Sequence, residues 1–255
     1  MTTWSRYTPL AISSASDGTM AALTLEMVVS PGQRLLGTLL LALVSGSIAT
    51  ATLADAADQP IKQFLAQDDT QPPYRALRHL EAENGSRRGW IDAVTDYAPE
   101  TGLRYEITAE GGSGYIRSKV LVAVLEGERE VFARGEAARS SLAPANYSFQ
   151  PNGVDDDGLA TVLLSPRRKE RVLVSGMMFL NPTDGTLVRL EGRLAKSPSF
   201  WVKNVDIVRI YERINGTVVP VALETKAQLR LLGTATLRMT YLYSEIDGRP
   251  LAPTQ

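Results

Sequence analysis

Apolar and polar residues alternate one by one along most of the chain, which is the pattern of strands that bury one face. The alternation recurs in successive runs at 88–97, 103–110, 159–165, 171–180, 187–195, 200–213, 217–231 and 233–246. Short turns separate the later runs, and Asn215-Gly216 is a strong hairpin signal among them. Connections this short join neighbouring antiparallel strands, so the second half of the chain predicts a long antiparallel meander.

One short segment ahead of this pattern has helical spacing. Within 74–83 the apolar residues Tyr74, Leu77 and Leu80 recur every third position, and Asn84-Gly85 follows as a left-handed stop. We therefore predict a short helix at 74–83. The polar stretch 134–157 shows neither period and is predicted to be a loop.

A longer helix is predicted at 115–133, where apolar residues fill an unusually broad arc of the helical projection. A helix with so broad an apolar face is expected to lie in a trough. Arg117 and Glu128 fall inside this arc about three turns apart, too far to pair with each other. Each therefore needs another charged partner, or a position at the edge of the trough from which its side chain reaches water. The order of elements predicts an α+β fold, with one large, strongly twisted antiparallel sheet that carries its helices on one face.

The beginning of the chain predicts an export signal. A basic residue precedes an apolar run from Leu35 to about Ile48, and the run ends in the small residues before Ala56, as in a cleavable secretory signal peptide. We expect cleavage near Ala56 and a periplasmic mature protein. The sequence does not decide whether translation starts at Met1, Met20 or Met27. The predicted segments are an extension and signal peptide (1–56), a flexible leader (57–73) and a single domain (74–255).

Composition excludes several function classes. The chain has no cysteine, one histidine and a net charge of -1, so it offers no disulfide and no strongly basic surface for nucleic acid. A zinc site or a histidine-based triad would have to use His79. The acidic run Asp155-Asp156-Asp157 lacks the ligand spacing of a calcium loop. We therefore expect no cofactor, no metal site and no enzymatic activity.

The hairpin FLNPTDGTLVRLEG, residues 179–192, has an Asn-Pro-x-x-Gly tip between two apolar strands. With this hairpin, a signal peptide and a helix ahead of a meander, the chain resembles the bacterial lipoprotein-carrier superfamily. This superfamily comprises the outer-membrane lipoprotein-sorting proteins and their mycobacterial lipoprotein relatives. The resemblance covers about 74–248 and implies a half-open β-barrel whose concave face, covered by one or two helices, accommodates acyl chains. It also implies a non-enzymatic periplasmic carrier or binding protein for an acyl chain, lipid or lipoprotein.

The residues expected to line the apolar hollow occupy inward positions of the predicted helix and strands. They are Ile116, Val120, Val124, Met177, Phe179, Trp201, Leu237, Met239 and Tyr241, with Arg117 as a polar residue of the lid or rim. Both faces of 171–180 are apolar, so the row containing Met178 and Leu180 is an alternative to Met177 and Phe179. Trp201 and its neighbour Phe200 either plug one end of the barrel or line its mouth, and on a strand only one of them can face inward.

The expected partners are lipid or lipoprotein acyl chains, with an envelope membrane protein as a second candidate and no nucleic acid. The chain is expected to act as a monomer. One alternative from a different class stays open, a structural or adaptor protein of the cell envelope whose interior is fully packed and holds no ligand.

Overall fold

Eleven strands form one antiparallel sheet in the computed structural model, which describes residues 58–67, 70–230 and 233–252. The predicted signal peptide and its cleavage site near Ala56 lie outside these residues. The strands are β1 (Tyr74–Asn84), β2 (Arg87–Ala98), β3 (Gly102–Gly112), β4 (Tyr147–Val154), β5 (Ala160–Pro166), β6 (Val174–Leu180), β7 (Leu187–Leu194), β8 (Val202–Ile214), β9 (Thr217–Leu229), β10 (Gly233–Ile246) and β11 (Arg249–Pro250). Their order is β3-β2-β1-β10-β9-β8-β7-β6-β5-β4, with β11 beside β10.

The two edges of the sheet, β3 and β4, are consecutive along the chain but do not pair with each other in the described sheet. The barrel is therefore half open, and the connection between its edges crosses the concave face. Helix α2 (114–133) begins this connection with an α-helical turn (Gly114–Ile116), a π-helical turn (Arg117–Leu121) and an α-helix (Val122–Ala133). The predicted class, α+β with one large curved antiparallel sheet and helices over its concave face, is confirmed.

Residues 74–83 form most of β1, a central strand, and not the predicted helix. Ala76, Arg78, Leu80 and Ala82 are buried at alternate positions, whereas Leu77, from the predicted apolar side of the helix, is 39% exposed. β1 pairs with β10 on one side and β2 on the other. The period of two is hidden in the sequence because the inward position 78 is an arginine.

The predicted flexible leader at 57–73 contains a helix, α1 (58–65), that packs against the tip of the β6–β7 hairpin. Ile61 is buried, and Gln63 donates a hydrogen bond from Nε2 to the carbonyl of Thr183 at 3.1 Å. A Cβ at Gly185 would lie 2.6 Å from the backbone nitrogen of Phe64. So short a helix is marginal in isolation and depends on this tertiary contact, which explains why the sequence did not predict it.

Strand β4 is a further correction, because 134–157 was predicted to be a loop. Tyr147 is buried, and its hydroxyl accepts a hydrogen bond from the Val174 backbone N–H at 3.1 Å. Pro151 and Gly153 interrupt the alternation, and both are tolerated because β4 is an edge strand. A short 3₁₀ turn (Ala137–Arg139) lies between α2 and β4. No helix among the described residues is long and apolar enough to cross a membrane.

Buried apolar side chains on the concave face cluster towards each of the two edges of the sheet. One cluster lies under α2 and joins residues of β1, β2 and β10 to Ile116, Leu121 and Leu125. Another joins residues of β5, β6 and β7 to Ile61 of α1 and Tyr147 of β4. Strands β8 and β9 pass between these two clusters.

A candidate ligand-binding hollow on the concave face

The concave face of the sheet is least covered over its middle strands, β8 and β9. The main contacts of α2 are with β1, β2 and β3. On β8 and β9 the concave-face residues Val205, Ile207, Arg209, Leu223 and Thr225 are half-buried. We call the surface formed by these residues the hollow.

A continuous transverse row of side chains crosses the whole concave face through the hollow. Residues that are direct cross-strand partners point to the same face of a sheet, so the strand register defines the row. From β2 to β5 its members are Ile91, Leu80, Met239, Leu223, Arg209, Leu190, Met178 and Val162. All of them are apolar except Arg209.

The next row contains small residues where the hollow meets β6 and β7. Ile207 pairs with Gly192, and Gly192 pairs with Gly176. A Cβ at Gly176 would overlap the carbonyl oxygen of Glu191, so only glycine permits this close approach of the two backbones. On the β10 side Ala227 pairs with Ala235 one row further. The hollow therefore has an apolar floor with few bulky groups.

A buried ion pair fixes α2 to the sheet beside the hollow. Arg78 of β1 is 1% exposed and donates to both carboxylate oxygens of Glu128, at 2.5 Å to Oε2 and 3.0 Å to Oε1. Its guanidinium also donates to the Tyr74 hydroxyl and lies 4.6 Å from the centre of the Tyr241 ring. Glu128, which the sequence left in need of a partner, thus finds it on a strand that was predicted to be a helix.

The tyrosines around this ion pair are neutral. Burial raises the pKa of Tyr74 and of Tyr241 above the ordinary value of a phenol. Burial opposes the charge of Arg78, but its neighbours, Glu128 among them, outweigh that effect and raise its pKa. At neutral pH the hydroxyls of Tyr74 and Tyr241 therefore stay protonated, and neither adds a negative charge beside Arg78.

Arg209 lies next to this group and was missed by sequence reasoning. It is hydrogen-bonded to the side chain of Tyr211, and Glu128 is the carboxylate that acts on it electrostatically. Among the described residues it forms no ion pair. The signal in the sequence was its position on β8, in phase with the inward residues Val205 and Ile207.

The structure brings six of the predicted lining residues together. They are packed in or against the cluster under α2 and comprise Ile116, Val120, Val124, Leu237, Met239 and Tyr241. Four of them are buried and two, Val124 and Tyr241, are half-buried, so they form the wall behind the hollow. The predicted row of β10 is thus on the concave face, but the half-buried surface next to it belongs to β8 and β9.

Met177 and Phe179 point away from the hollow, which corrects their predicted role. Met178 pairs with Leu190 in the transverse row, so its neighbours in sequence face the opposite side of the sheet. There Phe179 is covered by the guanidinium of Arg189, 3.9 Å from the ring centre. The alternative row, with Met178 and Leu180, is the one that faces the core.

Trp201 and Phe200 lie at the rim. Both precede β8, in a turn, so the alternation of a strand does not apply to them and both are exposed, Trp201 by 40% and Phe200 by 72%. Their rings form an edge-to-face pair with centres 5.3 Å apart, and the Arg230 guanidinium lies 5.0 Å from the Phe200 ring. Neither ring plugs the barrel.

The polar residues flagged in the sequence have partners at the surface. Arg117 pairs with Glu110 at 2.7 Å at the rim near the start of α2. His79 lies on the convex face with Nδ1 2.6 Å from a carboxylate oxygen of Asp92. Asp155 accepts the backbone N–H of Leu159. Within the described ranges no cluster of three or more acidic or histidine side chains is arranged to hold a metal ion.

A depression also lies on the convex face of β8, β9 and β10. Its volume is about 200 Å³, and its lining includes Val208, Ile210, Ala222, Glu224 and Arg238. These residues alternate with the concave-face residues of the same strands, so this convex recess is separate from the hollow. Arg238 and Glu224 form an ion pair across it at 3.6 Å.

Known proteins that are similar to this chain are found among solved structures. No protein-family model and no curated protein matches the chain. Among solved structures, the chain is similar to a LolA superfamily protein from Nitrosomonas europaea, with 12% identity, a TM-score of 0.35, and coverage of 81% of this chain and 96% of that chain. It is also similar to a DUF1329 family protein from Desulfovibrio piger, with 8% identity, a TM-score of 0.33, and coverage of 75% and 90%.

A further similarity is to a chain of the MucA/MucB complex from Pseudomonas aeruginosa, with 12% identity, a TM-score of 0.22, and coverage of 78% of this chain and all of that one. One of these structures is a LolA superfamily protein, the superfamily that the sequence resembles. Function is argued below from the residues of this chain.

Proposed function

We propose that this chain is an exported, non-enzymatic carrier or binding protein that holds the acyl chain of a lipid or lipoprotein in the hollow. The observation that carries the proposal is the half-buried floor of β8 and β9, which lies between two packed clusters and beyond the main contacts of α2. Apolar surface left accessible in this way marks a site for an apolar ligand or partner.

The chemistry of the floor suits an acyl chain. Ile207, Leu223 and Val205 offer aliphatic contacts, and next to them Gly192 and Gly176 add no side chain to the floor. Each methylene transferred from water to such a surface contributes about 0.8 kcal/mol. Export to the periplasm is supported by the signal-peptide pattern that ends near Ala56.

Two neighbouring residues on opposite faces of β8 provide the test. Ile207→Trp places a bulky ring over the floor of the hollow, whereas Val208→Trp places the same ring in the convex recess. Titration of the purified mature protein with a fluorescent fatty acid measures both. We expect the Ile207 variant to weaken binding by about tenfold or more, which corresponds to about 1.4 kcal/mol, and the Val208 variant to bind as the wild type does.

Other outcomes would assign the protein differently. Binding that is lost in the Val208 variant and kept in the Ile207 variant would place the ligand in the convex recess. A wild-type protein that takes up no fatty acid would favour a structural or adaptor protein of the cell envelope with a closed interior. Thermal denaturation of each variant establishes that it is folded before its binding is compared.

A further inference from the structure

In the part of the chain that the structure describes, the hollow contains a positive charge, that of Arg209, which no ion pair neutralises. Arg209 is flanked across the strands by Leu190 and Leu223, and the rest of its transverse row is apolar. A cation in such surroundings is stable only when a partner supplies negative charge or strong hydrogen-bond acceptors.

The available internal partners do not supply that charge. Both carboxylate oxygens of Glu128 accept hydrogen bonds from Arg78. Tyr211 offers Arg209 a hydroxyl, and burial raises the pKa of Tyr241 above the ordinary value of a phenol. Two arginines and one carboxylate therefore leave the group with one positive charge in excess.

We propose that Arg209 binds the anionic head of the ligand, a carboxylate or a phosphate, while its acyl chain lies along the floor of the hollow. This inference rests on the proposed function and specifies its ligand as an anionic amphiphile. A guanidinium matches both kinds of anion, because its planar fork donates two parallel hydrogen bonds.

The course of β8 accommodates the rest of such a ligand. From Arg209 the concave-face positions Ile207 and Val205 lead along the strand to the rim at Trp201. The seven residue steps of strand from Val202 to Arg209 span roughly 23 Å, so an extended acyl chain has an apolar path from the half-buried charge to the rim. The anionic head is then inside the barrel, and the end of the chain lies near the exposed aromatic pair.

Three ligands that share one alkyl chain test the inference by isothermal titration calorimetry: dodecanoate, dodecyl phosphate and the uncharged dodecanol. The variants are Arg209→Met, which keeps the apolar stem and removes the charge, and Arg209→Lys, which keeps the charge. Arg193→Gln, on the convex face, is the matched control, since Arg193 pairs with Asp206.

We expect Arg209→Met to weaken binding of an anionic ligand by about tenfold or more and to leave dodecanol unchanged. Arg209→Lys should retain part of the affinity, and Arg193→Gln all of it. The head is identified as a carboxylate if Arg209→Met weakens the binding of dodecanoate more, and as a phosphate if it weakens the binding of dodecyl phosphate more. The unliganded Arg209→Met protein should unfold at the same or a higher urea concentration than the wild type, because an unpaired cation has been removed.

Equal affinities of the wild type for dodecanoate, dodecyl phosphate and dodecanol would overturn the inference and leave the proposed function standing. The same holds if Arg209→Met binds both anions as tightly as the wild type does. Failure of the wild type to bind any of the three ligands would instead refute the proposed function.

Discussion

The ion pair between Arg78 and Glu128 gives a sharp prediction about what fixes α2 over the sheet. Glu128→Leu removes the carboxylate and leaves Arg78, which is 1% exposed, without its anionic partner. Loss of one member of a buried pair costs about 3–5 kcal/mol. Because Glu128 is 30% exposed and Arg78 keeps its contacts with Tyr74 and Tyr241, we expect the lower end, about 3 kcal/mol. For a domain of this size that lowers the melting temperature by roughly 6–12 °C.

Urea and thermal denaturation measure the effect against two controls. Glu130→Leu breaks an exposed pair with Arg134 on the same helix and should change stability by no more than about 0.5 kcal/mol. The double variant Arg78→Met/Glu128→Leu removes both charges and should recover most of the loss, because no unpaired cation remains. The reasoning is refuted if Glu128→Leu costs no more than Glu130→Leu, or if the double variant is as unstable as Glu128→Leu.

Two further predictions concern the β6–β7 hairpin. Gly176→Ala forces a Cβ onto the carbonyl of Glu191 and should destabilise the protein by about 3 kcal/mol or more in urea denaturation, whereas Gly114→Ala, whose added Cβ has only ordinary contacts, should leave stability nearly unchanged. Hydrogen bonds from Thr186 lower the pKa of Asp184, so its stabilising effect is complete above the unfolded-state pKa of about 3.9 and is lost as the pH falls through the lower folded-state pKa. Asp184→Asn should therefore unfold at lower urea than the wild type at pH 7, with the difference shrinking towards pH 3; a difference that stays constant over this range would contradict the assignment.

Most strands that the sequence predicted correctly have apolar residues at their inward positions. β10 is an example, since Leu237, Met239 and Tyr241 alternate with polar residues and face the core. β1 was predicted to be a helix because its central inward residue is Arg78, whose burial depends on Glu128, 50 residues away in sequence. A pairing between distant residues leaves no trace in local periodicity.

The candidate site was predictable only in outline. The apolar lining from α2 and β10 follows from amphipathic spacing, but the choice between the two apolar faces of β6 does not. Phe179 is nearly buried on the convex face because Arg189 of the next strand covers it, and this contact depends on the strand register. Arg209 was missed for the same reason, since its apolar surroundings come from β7 and β9.

Mass spectrometry of lipids bound to the purified protein shows whether the hollow holds an anionic amphiphile. The mature protein is purified without detergent, and its bound lipids are extracted and quantified for the wild type and for Ile207→Trp and Val208→Trp. We predict about one acyl-bearing acid or phosphate per wild-type and Val208→Trp molecule, and a large loss in Ile207→Trp. No bound lipid in the wild type, together with no uptake of a fatty acid in solution, would contradict the account, as would equal lipid in all three proteins.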